Sequence, residues 1–281
     1  MSAIRTIVKR IVPERVLLLR YELYETLSYY PRLLVRVGTR LECPLCGWHF
    51  RRFRPAGFHY AVIIEKRVIG GHYREDNICP RCLSNARERL AYLFLRARTR
   101  LFSQNVLLLH VAPEPELAAS LRRSPNIRYV SADLFLPGVM TRFDVLHMPF
   151  PDETFDAIIC NHVMEHVADD GLAMAEVYRV LKPGGWALLQ VPIALALTRG
   201  QTVEDPSATT EAERIRVFGQ ADHVRLYAAP DYVDRLEKTG FRVTVSRCAT
   251  ELAGDVARYA LEPEEHIFVC AKPSSASAPS G

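Results

Sequence analysis

Four cysteines arrive in two matched turns, Cys43-Pro-Leu-Cys46 and Cys79-Pro-Arg-Cys82, with the second turn beginning 33 positions after Cys46. A Cys-x-x-Cys turn sets two thiolates on one side of a knuckle, and two facing knuckles make a tetrahedral cage for zinc. Four soft ligands leave no open coordination position, so the expected metal is structural; a redox pair is the alternative. A second group of reactive side chains, Asn161, His162, Glu165 and His166, follows the apolar run Phe155–Cys160. Imidazole exchanges protons near neutral pH, so His162 is a candidate base, as is His223 in GQADHVRLY. Each has a bland reading beside the chemical one: His162 as a residue that orients its loop, His223 as a loop histidine bonded to Asp222. Glu165 and His166 read as capping or salt-bridging residues of a following helix.

The elements that must position these groups read as α/β. Continuous apolar runs predict buried strands at residues 105–112, in IRYVSAD ending at Asp133, at Phe155–Cys160 and at Trp186–Val191, with a shorter third strand ending around Asp144. FRVTVSR and HIFVCAK complete seven strands. Helical periods lie between them, in ELAASLRRS, in the stretch that Gly184 and Gly185 stop, and from Asp231 to Thr239. Strands alternating with helices predict a Rossmann-like, seven-stranded doubly wound sheet, with ligands beyond the carboxyl ends of its strands. A helix capped by Ser84 would couple this sheet to the cysteine module.

The 281 residues divide into a basic helical segment (1–40), a zinc-ribbon-like module (41–83), a connecting helix (84–104), the α/β domain (105–272) and a disordered tail (273–281). Residues 1–100 hold 20 Lys and Arg against 8 Asp and Glu, and the rest hold 16 against 24. A basic front can meet nucleic acid, anionic lipid or the acidic domain behind it. Phe50, Arg51, Arg52, Phe53, Arg54 and Phe58 form the basic-aromatic mixture of single-strand nucleic-acid binders, though the wet surface of a small module with a minimal core explains it more simply. Short strands, one at AVII, are expected here, with His49, His59 and His72 outside the cage. The amphipathic residues 14–30 either pack on the neighbouring module or make peripheral membrane contact. No secretory signal or membrane-spanning run is present, which predicts a cytoplasmic protein.

Asp133 stands 23 positions after His110, where an acid commonly binds a ribose hydroxyl in nucleotide-binding α/β domains. Together with Asp144 before LHMPF, then TFDAIIC, NHVMEHV and LKPGGWALLQVP, it makes residues 105–272 resemble the class I S-adenosylmethionine-dependent methyltransferases, type 11 group. The resemblance implies S-adenosylmethionine as cofactor, its ribose on Asp133 beside Leu134, its adenine amino group on Asp144 with Val145 beside the ring. It also implies that Asn161, His162 and Val163 border donor and acceptor, and that His110, Ala112 and Glu114 stand in the loop facing the methionine part. Members usually carry glycines in that loop; here His110 to Glu116 contain none, and Pro113 and Pro115 fix φ. The implied reaction is methyl transfer to oxygen or nitrogen of a small-molecule or glycan-like acceptor, with His162 and His223 as candidate catalytic residues. Two alternatives remain: an RNA methyltransferase gripping RNA through the zinc module, though no Asn-Pro-Pro-aromatic motif follows the fourth strand, and a non-catalytic interaction protein of methyltransferase fold.

Overall fold

The computed structural model describes residues 36–198, 200–251 and 255–274; the helix expected within residues 1–35 and the tail from residue 275 lie outside the described residues. The front module contains β1 (Val37–Glu42), β2 (His49–Phe50), β3 (Arg54–Ala56), α1 (Ala61–Glu65), β4 (Val68–Ile69) and β5 (Arg74–Ile78), and α2 (Ala86–Arg98) leads out of it. The α/β domain follows as β6 (Val106–Val111), α3 (Pro115–Arg122), β7 (Ile127–Ala132), β8 (Phe155–Cys160), α4 (Asp170–Val180) and β9 (Leu181–Leu188). It continues through β10 (Ile193–Ala194), β11 (Val203–Glu204), α5 (Glu211–Phe218), β12 (Arg225–Leu226), α6 (Ala229–Lys238), β13 (Arg242–Ser246), α7 (Cys248–Glu251) and β14 (Ile267–Ala271).

The main sheet has the order β13-β14-β9-β8-β6-β7, parallel from β9 to β7, with β14 antiparallel to both its neighbours. Its apolar strands are continuous because both faces are covered. Successive side chains alternate between faces, so Leu109, Val111, Ile158 and Cys160 enter one buried cluster and Leu108, Ala157, Ile159 and Leu188 the other.

The expected seventh strand is not formed: the sheet holds six strands among the described residues. Where the third was expected, Thr141 makes a single parallel bridge to Ala132. The chain then curls, because Asp144 accepts from Leu146 N–H through Oδ1 (3.0 Å) and from His147 N–H through its carbonyl (2.9 Å). Helix α4 ends at Val180, before the glycines, and β9 pairs with β8 from Leu181 onward. Gly185 instead marks a close approach, since a Cβ there would stand 2.9 Å from the Asp156 carbonyl oxygen.

Three further expectations are corrected in the front module. β1 starts at Val37, so the module begins before residue 41. AVII forms a helical turn, α1, because Ile63 is buried with Val68, Phe218 and Leu226, and that packing overrides the strand preference of its β-branched residues. Asn85, not Ser84, caps α2: its side chain accepts from Glu88 N–H while the Glu88 carboxylate accepts from Asn85 N–H.

The module docks on the α/β domain through its arginines. Arg89, fully buried, donates from Nε to the carbonyl of Tyr259 (2.8 Å), from Nη1 to those of Asn77 (2.8 Å) and Ser84 (2.9 Å), and from Nη2 to that of Ala260 (3.1 Å). Arg74 adds donations to Ala260 and Leu261, and Arg67 pairs with Glu264 at 2.8 Å. β4 joins β10 antiparallel, Ile69 opposite Ile193. Among the described residues, the docking arginines are answered mainly by backbone carbonyls of residues 259–261, with Arg67 on Glu264.

Candidate active site and cysteine cage

The two knuckles have the same backbone path. Gly47 N–H donates to the Cys43 carbonyl (2.8 Å) and Leu83 N–H to the Cys79 carbonyl (3.0 Å), with Gly47 and Leu83 both left-handed at φ 70° and 65°. The four sulfurs lie within 4.8 Å of one another, with Cys43 to Cys82 at 3.6 Å and Cys46 to Cys79 at 3.8 Å. A tetrahedral zinc with bonds of about 2.3 Å needs sulfurs about 3.8 Å apart, so the donor set fits that ion. His49 and His72 pair with Glu42 (3.2 Å) and Glu262 (3.0 Å), outside the cage.

At the carboxyl ends of β6, β7 and β8 opens a cavity of about 640 Å³, within the range of small-molecule sites. Its wall combines Ala112, Asp133 with Leu134, Asp144 with Val145, and His162. Asp133 Oδ1 accepts from Phe135 N–H and Leu136 N–H, each at 2.6 Å, so its carboxylate is held by its own loop. Asp133 and Asp144 among aliphatic and aromatic lining residues, with His162, His166 and Asp222 also on the wall, suit an adenosyl group, whose hydroxyls and amino group donate while its ring packs on aliphatic carbon.

Buried His110 and Asn161, joined through the partly exposed Glu114, form a hydrogen-bonded chain beside this wall. His110 Nδ1 meets the Tyr129 hydroxyl at 3.0 Å and its Nε2 meets Glu114 Oε2 at 2.7 Å. Asn161 Nδ2 donates to Glu114 Oε1 (3.2 Å) and its Oδ1 accepts from Gln190 N–H (3.3 Å). Burial opposes ionisation of Glu114, but the His110 hydrogen bond and charge outweigh it and hold the carboxyl below its usual range. The glycine-free loop is accommodated by strain: Ala112 takes φ 47°, a left-handed conformation, with its N–H on the Ala132 carbonyl at 2.8 Å. Relieving that strain outweighs the added freedom of the unfolded chain, so Ala112→Gly is expected to stabilise the fold by up to about 1 kcal/mol, measurable by denaturant titration.

His162 is also left-handed, φ 55°, with its N–H on the Gln190 carbonyl at 2.7 Å. Its Nδ1 lies 3.2 Å from Arg87 Nη1 and 3.3 Å from Glu165 Oε1, and burial together with Arg87 keeps its pKa below the usual histidine value. Glu165 and His166 sit in a tight turn after β8, before α4 begins, not on a helix. His223 is buried (2% exposed) and outside the cavity wall, its ring against His166 with centroids 4.7 Å apart. Arg87 and Asp222 were missed as site residues. Only Asp222 had a signal, its place beside His223; nothing local in α2 shows that Arg87 reaches across to His162.

Arg87 also lines a smaller cavity of about 220 Å³ between module and domain, together with Glu265. Burial pushes the Glu265 carboxyl up to about 7. The native state therefore holds a proton that the unfolded chain has lost, and stability falls as pH rises from the ordinary carboxylate value, about 4.3, to about 7. Glu265→Gln is expected to remove a fall on the order of 2 to 3 kcal/mol from the pH–stability curve across that window.

Residues 98–189, about a third of the chain, match the family described as a methyltransferase domain, type 11. Over 51 residues the chain is 47% identical to the ubiquinone/menaquinone biosynthesis C-methyltransferase UbiE of Saccharophagus degradans, covering 18% of this chain and 20% of that protein. Over 86 residues it is 37% identical to the demethylmenaquinone methyltransferase of Thermus thermophilus, covering 25% and 39%. The chain spans less than half the length of these curated relatives. The solved structure of an S-adenosylmethionine-dependent methyltransferase from Mesorhizobium loti is similar at a TM-score of 0.44 and 15% identity, over 64% of this chain and 96% of that one. The stretch that matches the methyltransferase-domain family, residues 98–189, contains the cavity-wall residues Ala112, Asp133, Asp144 and His162.

Proposed function

We propose that this protein is an S-adenosylmethionine-dependent methyltransferase acting in the cytoplasm on an oxygen or nitrogen of a small-molecule or glycan-like acceptor, with structural zinc in the cysteine cage. The observation that carries this reading is the pairing of Asp133 and Asp144 on one cavity within the matched stretch. Asp133 with Leu134 would hold the ribose, and Asp144 with Val145 the adenine. The hydrogen-bonded chain His110–Glu114–Asn161 would stiffen the wall facing the methionine part, with Ala112 giving close approach.

The bound cofactor supplies a methyl group activated by its sulfonium. Transfer from such a donor would ask the protein chiefly to align the acceptor and exclude water. His162, on the wall beyond β8, takes the proton of an acceptor hydroxyl or amine. His223 acts from behind it as a positioning residue, through His166, which lines the same cavity.

Arg74, Arg87 and Arg89 are engaged within the chain, so they are not free to grip RNA, and the nuclease arm of the test reads the exposed Arg51, Arg52 and Arg54. No helix among the described residues is long and apolar enough to cross a membrane. The test is transfer of labelled methyl from S-adenosylmethionine into fractionated extract, before and after nuclease. Label that persists in a small product supports the proposal, and label lost with nuclease assigns RNA instead. Because one relative is named a ubiquinone/menaquinone biosynthesis C-methyltransferase, product analysis must also read methylated carbon.

A further inference from the structure

Beside the cofactor cavity, Glu165, His166 and His223 each offer one ligand atom within 4.8 Å of the others, which matches the size of a mononuclear metal site. Glu165 and His223 are 1% and 2% exposed; His223 Nδ1 and Glu165 Oε2 have no partner, Glu165 Oε1 has only His162 Nδ1 at 3.3 Å, and His166 Nδ1 lies 3.3 Å from Asp222 Oδ2. A buried carboxylate beside an unsatisfied imidazole nitrogen is costly unless a cation or proton bridges them.

The scaffold holding them is rigid. Val224 N–H donates to the Glu165 carbonyl (2.9 Å), tying the His223 segment to the Glu165 turn. Arg225, 4% exposed, donates from Nη1 to the carbonyls of Met164 and Val167 (2.6 Å each) and from Nη2 to that of Ala168 (3.0 Å). Such support around a ligand turn fixes donor positions before any ion arrives.

From this geometry we infer a second metal site, formed by Glu165, His166 and His223, that binds a divalent transition metal at the rim of the cofactor cavity. Two imidazoles and one carboxylate suit zinc, cobalt or iron(II) and not magnesium or calcium, which take oxygen donors. Three ligands leave a coordination position open, unlike the closed cysteine cage. Because His166 and Asp222 line the cavity, that position is within reach of an acceptor oxygen, and a metal there would lower the pKa of a bound hydroxyl.

The site is tested without cofactor or acceptor, so its failure is separate from failure of the methyltransferase reading. The full-length protein is stripped of metal and titrated with cobalt(II), followed by absorption and by metal analysis. About two equivalents are expected, one with thiolate charge-transfer absorption from the cage and one with ligand-field bands alone. Glu165→Gln and His223→Asn should each lose only the second equivalent. Should these buried variants fail to fold, His166→Ala, at a partly exposed position, should show the same loss. A wild-type protein that takes up one equivalent, all of it thiolate-bound, overturns the proposal, as does a folded variant that keeps both. Either result would mean that protons alone hold this cluster together.

Discussion

Cys79→Ser, or chelation of the zinc proposed for the cysteine cage, is expected to melt the front module and lower the melting temperature of the whole chain by more than about 10 °C. Strands of two to six residues and a core of Leu41, Phe50, Phe53 and the cysteines are too small to stand alone. A structural zinc contributes about 10 kcal/mol or more in isolated zinc modules, and each kcal/mol shifts the melting temperature of a domain this size by about 2 to 4 °C. Loss should spread beyond the module, because β4 then leaves β10, and Arg87, held at the module boundary by the Gly70 carbonyl, loses its place beside His162. Calorimetry of the native, chelated and zinc-restored protein checks this. A melting curve indifferent to chelation, from protein with no bound metal, would refute the structural role.

The second large effect is expected at Arg89. Its guanidinium donates to four backbone carbonyls drawn from the module, the α2 junction and residues 259–260, and its charged face lies 4.5 Å from the Phe53 ring centroid. Arg89→Leu leaves those buried carbonyls without donors and is expected to cost about 3 to 5 kcal/mol. Arg89→Lys should rescue little, since a point ammonium cannot serve four acceptors arranged around a planar fork. Arg98 provides the control. It pairs with Glu251 at the surface, and Arg98→Ala should change stability by about 0.5 kcal/mol or less. Denaturant titration of the three variants separates a clamp from a generic surface charge.

Local pattern made the sheet legible because buried parallel strands are continuous apolar runs: β6, β7, β8, β13 and β14 fall where the sequence places them. The third strand was over-read since TRFDVLHMPF is apolar enough for a strand, while Asp144 curls the backbone back on itself. AVII failed for the opposite reason, a contact with Phe218 more than 150 residues away. Helix α5 was hidden by its weak period, although Thr210 and Glu213 form the capping box that could have revealed it. At the site, Asp133 was legible because it follows the end of β7, whereas Asp144 reaches the same cavity from a turn in place of the expected strand end. Arg87 and the Glu165–His166–His223 cluster were not legible, because they are brought together by docking and by the Arg225 clamp, neither of which has a local signature.

The central claim is that the Asp133–Asp144 cavity binds the adenosyl cofactor. Isothermal titration of the zinc-replete protein with S-adenosylhomocysteine tests it most directly, since a ligand bound by the folded state alone must also raise thermal stability. One site per chain is expected, weakened about tenfold to a hundredfold in Asp133→Ala and in Asp144→Ala, the cost of one or two lost hydrogen bonds to a carboxylate. Absence of binding to the wild-type protein, or undiminished affinity in both variants, would contradict it.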